Sequence, residues 1–277
     1  MNTILVPLDF SDTSENQLNY AVGLANFLSA SLIMLHVDQI PVYNDEHQLL
    51  TYNIKDKIEI NLELLKSKAI RLKKDNLLIG EVTCYAEVGE LETSITEFIS
   101  KKSISLIVMG ITGHKTKMCQ TLFGSNSITV SRESRVPVFI IPTHYRYKKI
   151  KNIAFACEYT TDIREQKGLH LVKSLNTMFN SNLNLLHVIP YNHLLNKKDA
   201  EADLFIEEKL ENTTHKTFIL IGDKVSRALL DFINTHQIDL IVIEQKKHTI
   251  FHKTFYPSAT KEIAFNSPIP ILTFHSY

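Results

Sequence analysis

Short apolar runs alternate with longer segments of helical period along the chain. The runs at 4–7, 32–37, 82–86, 104–109 and 138–141 are strand-length and almost continuously apolar. That is the pattern of parallel strands covered on both faces. Between the first two, residues 14–29 place Leu18, Ala21, Val22, Ala25 and Leu28 on one helical face, with residues 12–14 as candidate caps. Residues 45–74 are long, charged and helical in period at Ile54, Ile58, Leu62, Leu65 and Ile70. Leu91, Ile95, Phe98 and Ile99 mark a further helix over 91–101, and 125–134 predicts a short one. Strands and helices in strict alternation give βαβ units and a parallel sheet.

The same blocks then recur in the same order. Ile4-Leu-Val-Pro-Leu-Asp9 is answered by Ile153-Ala-Phe-Ala-Cys-Glu158, and Ser31-Leu-Ile-Met-Leu-His36-Val37 by Asn182-Leu-Asn-Leu-Leu-His187-Val188. Gly89 through Ser105-Leu-Ile-Val-Met109 is answered by Gly222 through Asp239-Leu-Ile-Val-Ile243, and Val136-Pro-Val-Phe-Ile-Ile141 by Ile269-Pro-Ile-Leu-Thr273. The fold class is therefore α/β, as two tandem doubly wound domains, each a five-stranded parallel sheet flanked by helices. The short basic stretch 142–151 is the expected joint, with domains at 1–145 and 150–277. Ligands of such sheets bind at the carboxyl ends of the strands, near the point where strand order reverses. That directs attention to Asp9, to Val37 and Asp38, and to the segment from Gly110.

Composition narrows the function classes. The chain of 277 residues carries 30 basic and 30 acidic side chains and no net charge, so the basic excess of a nucleic-acid-binding protein is missing. Three scattered cysteines, Cys84, Cys119 and Cys157, form no CxxC pair and no disulfide framework. No basic leader and no run of membrane-spanning length is present. The expectation is a cytoplasmic protein with no membrane and no nucleic-acid partner.

Glycine is scarce, with 8 in 277 residues, yet Gly110, Gly113 and Gly124 fall within one short segment. It follows an apolar strand and ends at a helix start. Glycines allow close backbone approach and positive φ, consecutive amides form an anion nest, and a helix N-terminus adds donors and the positive dipole end. Ser125 and Ser127 add hydroxyls, and Lys115 and Lys117 add charge. A phosphate chain suits this segment; a plain strand–loop–helix connection with turn glycines is the alternative. No Walker A or Rossmann glycine fingerprint follows the first strand.

These motifs resemble the universal stress protein family over nearly the whole chain. Gly110-x2-Gly113-x10-Gly124-Ser125 is similar to the family's phosphate loop, with a spacer of ten residues where nine is usual. Val6-Pro7-Leu8-Asp9-Phe10-Ser11, His36-Val37 and Val136-Pro137-Val138 match its first, second and last strands. The resemblance implies a Rossmann-like fold of the adenine nucleotide alpha hydrolase type and ATP as ligand, with Mg²⁺ as an accompanying cation. It implies Pro7 and Asp9 beside the nucleoside, the Val37 backbone on adenine, and Met109 and Gly110 beside the ribose. Gly113, Gly124, Ser125 and Asn126 would hold phosphates. It also implies pairing of the two copies through their last strands as an intramolecular pseudo-dimer; a further homodimer and an unidentified protein partner are left open.

The second copy departs from this pattern. Its glycine equivalents are Glu244, Lys247 and Pro257, with Ala156 for Pro7 and Glu158 for Asp9. A carboxylate and a residue without an N–H are poor phosphate ligands, so this copy is expected not to bind ATP; another anion on Lys246, Lys247 and Lys253 is the alternative. Glu244, His248 and His252 have helical metal-ligand spacing, but the segment reads as a loop. His36 and His187 read as strand-end packing residues, and the thiol of Cys119 as unreactive. No catalytic base is evident beside the loop. The expected protein is a stress-response sensor or regulator, at most a slow ATPase. The alternatives are an autophosphorylating protein with Ser125 or Thr129 as acceptor, and a nucleotide-free scaffold.

Overall fold

The computed structural model describes residues 2–39, 53–111, 125–157, 167–192, 197–245 and 257–275. These form two compact units, the first ending at Tyr147 and the second beginning at Lys148. The first unit runs β1 (Thr3–Pro7), α1 (Asp12–Leu28), β2 (Ser31–Asp38), α2 (Ile54–Lys74), β3 (Val82–Val88), α3 (Leu91–Lys101), β4 (Leu106–Ile111), α4 (Ser125–Glu133) and β5 (Val138–Pro142). The second runs β6 (Asn152–Ala156), α5 (Lys167–Phe179), β7 (Asn182–Ile189), α6 (Lys197–Lys209), β8 (His215–Ile221), α7 (Val225–Thr235), β9 (Leu240–Gln245), α8 (Pro257–Asn266) and β10 (Ile271–His275).

Strand order is β3-β2-β1-β4-β5 in the first unit and β8-β7-β6-β9-β10 in the second. Every pair within a unit is parallel. The α/β architecture expected from the alternating runs is the one found. The chain winds outward from β1 through β3, then crosses to β4 and β5, so order reverses between β1 and β4. The repeat extends to single backbone bonds. Leu8 N–H donates to Leu35 O at 2.8 Å, as Cys157 N–H does to Leu186 O at 2.9 Å. Gly89 N–H donates to Asp38 O as Gly222 N–H does to Ile189 O, both at 2.9 Å.

The core sits on the central strands. Ile4, Leu5, Leu106, Ile107 and Val138 are fully buried, as are Ile153, Leu240 and Ile241; each contributes roughly 1.5–3 kcal/mol by leaving water. Two expectations need correcting. The apolar run of β3 is not covered on both faces: it lies at the edge of its sheet and is mostly half-buried. In α2 the buried side chains are Leu65, Ala69 and Leu72, while Ile54 and Ile70 are exposed. Successive helical residues differ by about 100°, so a stripe through Leu65, Ala69 and Leu72 turns Ile70 outward. The helix is capped by Asn53, whose Oδ1 accepts from Lys55 N and Asp56 N; residues 45–52, read with it, lie outside the described residues. None of the described helices is long and apolar enough to cross a membrane.

Candidate functional site

In the first unit a cavity of about 590 Å³ opens at the carboxyl ends of β1, β2 and β4. Pro7, Asp9, Val37, Met109, Gly110 and Asn126 all line it, joined by Ser11, Thr13, Gln17, His36, Asp38 and Ser127. The sheet ends the three strands at one level and so collects residues that are far apart in sequence. Gly113 and Gly124 lie outside the described residues, as do Lys115, Lys117 and Cys119. Ser125 opens α4, and with Asn126 at the wall the positive dipole end of this helix lies at the cavity.

Asp9 is held by a tight turn. Ser11 N–H donates to Asp9 Oδ1 at 3.0 Å and Ser11 Oγ donates to the same oxygen at 2.6 Å, an Asx-turn. Phe10 between them takes a left-handed conformation, φ 62°, which costs an aromatic residue about 1–2 kcal/mol; its ring stacks on His36 at 4.5 Å. Partial burial pushes the Asp9 carboxyl up, but hydrogen bonds from Ser11 and Ser14 outweigh it and leave the pKa below its ordinary value. Ser11 is also the cap of α1, accepting from Ser14 N at 3.2 Å, one residue before the caps read from the sequence.

Ser11→Ala therefore has two expected effects. Loss of the cap costs about 1 kcal/mol, and the Asp9 pKa rises. A folded-state value below the unfolded one stabilises the fold above the ordinary aspartate range, and that stability disappears as pH falls through the folded value. Asp9 is open to solvent, so this share is small. Carboxyl ¹³C titration and thermal denaturation check both; an Asp9 midpoint unmoved in the variant would refute the turn's role.

Several residues do other work than their type suggests. Gly110 belongs to β4, not to a loop, and has no positive φ. It is glycine because an added Cβ would meet Thr13 Cγ2 at 2.8 Å and Thr13 O at 3.2 Å. The Ser127 hydroxyl, expected as a phosphate ligand, is buried and donates to Gly110 O at 2.5 Å. His36 Nδ1 donates to the Leu8 carbonyl at 2.7 Å, and His187 Nδ1 stands 3.3 Å from Cys157 O in the second unit. Asp38 Oδ2 accepts from Asn61 Nδ2 at 3.2 Å, tying α2 to the cavity rim.

Gln17 was missed by the sequence reading. Its amide Nε2 donates to Pro7 O and Val108 O, both at 2.7 Å, and its Oε1 accepts from Gly110 N at 2.8 Å. A polar residue one position from Leu18 and four from Ala21, on the buried face of α1, was the available signal.

In the second unit a buried carboxylate stands at the position of Gly110. Glu244, aligned with Gly110 by the repeat, is 7% exposed, and its Oε2 lies 2.5 Å from the position a Cβ on Gly168 would occupy. The carboxylate thus points at α5. Glu244 also lies in strand β9, so it shares no helical face with His248 and His252, which lie outside the described residues. Among the described residues no group of His, Cys, Asp and Glu forms a metal cluster. Lys246, Lys247 and Lys253 lie outside the described residues too.

The model of the universal stress protein family matches residues 1–142. A universal stress protein of Bacillus subtilis is 30% identical over 153 residues, covering 50% of this chain and 98% of its own. One from Methanocaldococcus jannaschii is 29% identical over 143 residues, covering 50% of this chain and 80% of its own. The crystal structure of a universal stress protein from Archaeoglobus fulgidus aligns over 99% of this chain and 96% of that one, with a TM-score of 0.71 and 18% identity, a likeness of fold.

Proposed function

The chain belongs to the universal stress protein family, and from that premise we propose that its first domain, residues 1–145, binds ATP with Mg²⁺ and acts as a stress-response sensor or regulator. One observation carries the reading: residues that match the family's nucleotide motifs, distant in sequence, line a single cavity at the strand-order reversal. In this reading the Val37 backbone meets the base, Asp9, Met109 and Gly110 flank the sugar, and Gly113, Gly124, Ser125 and Asn126 take the phosphates. The second domain, residues 150–277, is a degenerate copy that does not bind ATP.

Regulation is favoured over fast catalysis. A carboxylate with a lowered pKa, as at Asp9, is a weak base at neutral pH. Calorimetric titration of the full chain with ATP and Mg²⁺ tests the proposal. Saturable binding at one site per chain, lost in Gly124→Glu, is the expected result. No heat at millimolar ATP overturns it, and two sites overturn the reading of the second domain. Parallel titrations with AMP and cyclic AMP rank the ligands.

A further inference from the structure

We propose that Gln17 is the positioning residue that holds open the crevice between β1 and β4, acting as a substitute peptide group where the ladder of the first unit stops. Its bearing on ligand binding rests on the nucleotide reading above.

The β1–β4 ladder pairs Ile4 with Leu106 and Leu5 with Ile107 and goes no further. Two residues on, Pro7 has no N–H to contribute. Pro7 C=O, Val108 C=O and Gly110 N–H are left along the facing edges, and buried groups of this kind need partners. The Gln17 carboxamide enters from α1 and satisfies all three. It is 4% exposed. A carboxamide has two N–H donors and one carbonyl, the chemistry of the missing peptide. Its orientation is fixed by the network, because the flipped amide would set its oxygen against two carbonyl oxygens.

The second unit supplies the contrast. Gly168 stands in the place of Gln17: both precede by the same interval the bond that closes their helix, Ala30 N to Ala25 O and Ser181 N to Asn176 O. Ala156, with an N–H, stands in the place of Pro7. There the ladder continues through Phe155 with Val242 and Ala156 with Ile243. A carboxamide wedge with a proline leaves the strands apart; a glycine with an alanine lets them zip. Gln17, Pro7 and Gly110 all line the cavity of the first unit. Gly110 is held on both sides of its Cα, its N–H donating to Gln17 Oε1 and its carbonyl accepting from Ser127 Oγ.

Two variants of the full chain, Gln17→Ala and Gln17→Glu, test the proposal through two readouts. Amide exchange of Gly110 is followed by NMR without ligand, and the ATP Kd is measured by calorimetry well below the denaturation temperature. Gln17→Ala should speed Gly110 exchange and weaken ATP each at least about tenfold. Gln17→Glu keeps the shape, but a carboxylate cannot donate to Pro7 O and Val108 O, whereas the protonated acid can donate to one. Its ATP affinity relative to wild type should therefore recover as pH is lowered, a response that simple packing does not give. Asp9, His36 and Asp38 also face the cavity and are common to both proteins, so the ratio isolates position 17. If Gln17→Ala does not fold, Gln17→Glu at two pH values carries the test alone. Unchanged Gly110 exchange overturns the substitute-peptide role. Altered exchange with an ATP Kd within about twofold of wild type, or a Gln17→Glu ratio flat with pH, overturns positioning of the ligand. Wild-type protein that fails to bind ATP overturns the nucleotide reading instead, and the exchange rates still decide whether the crevice depends on Gln17.

Discussion

Gly110→Glu should abolish ATP binding and destabilise the first unit, and adding Gln17→Gly should recover part of the stability without restoring the binding. The single substitution drives a Cβ to 2.8 Å from Thr13 Cγ2 and 3.3 Å from Gln17 Oε1, then adds a carboxylate beside a buried carboxamide. Steric overlap and a poorly solvated charge together cost about 3 kcal/mol. The second unit has the answer built in. There the large acidic side chain comes from the strand, as Glu244, and the helix gives way with Gly168; in the first unit the helix brings Gln17 and the strand gives way with Gly110. Gln17→Gly removes the contact with Oε1 and opens the helix side, while Thr13 still crowds position 110 and Pro7 O and Val108 O lose their donor, so the double variant should be less destabilised than the sum of the two substitutions by roughly 1–3 kcal/mol. Binding does not return, because a carboxylate then stands at position 110 of the cavity wall and the Gln17 wedge is gone. Urea denaturation followed by hydrogen exchange on β1 and β4 measures the coupling, and calorimetry measures the affinity. Strict additivity of the two substitutions would sink the exchange argument.

The second large effect is expected at Gly168→Ala. In an exposed helix this change stabilises by about 1 kcal/mol, since alanine is the better helix former. Here the new methyl would lie 2.5 Å from Glu244 Oε2, 3.0 Å from its Cδ and 3.1 Å from Phe274 Cζ. Overpacking of this kind costs roughly 1–3 kcal/mol and outweighs the helix gain. The penalty should shrink or vanish in a Glu244→Gly background, where the contact with Phe274 Cζ alone is left to oppose the propensity gain. Denaturation of the four proteins of that cycle decides it. A Gly168→Ala effect that stays the same in both backgrounds would mean that Glu244 does not set the space above α5.

Much of this was legible beforehand, for a definite reason. Alternation of apolar runs with helical periods is a local property, and it gives the parallel sheets because only that arrangement buries both faces of such strands. The strand-order reversal then points to Asp9, Val37 and Gly110 before any coordinate is known. What stayed hidden depends on partners distant in sequence. Nothing near Gln17 announces that its amide meets Val108 and Gly110 on another strand. Nothing near Ser127 says that its hydroxyl turns inward to Gly110 O. Gly110 looked like a loop glycine because a close approach and a turn both select glycine, and only the neighbouring Thr13 tells them apart. The apolar composition of β3 likewise could not show that it lies at a sheet edge.

The sequence by itself determined the repeated α/β units and the family, and it pointed to Pro7, Asp9, Val37, Met109, Gly110 and Asn126, which line the first cavity. Local periodicity, strand connectivity and motif order suffice for these. Only the tertiary structure decided how each crevice is filled, by Gln17 over Gly110 in one unit and by Glu244 under Gly168 in the other. That choice belongs to pairs of positions competing for one volume and one set of backbone partners, and a single chain position carries only half of it.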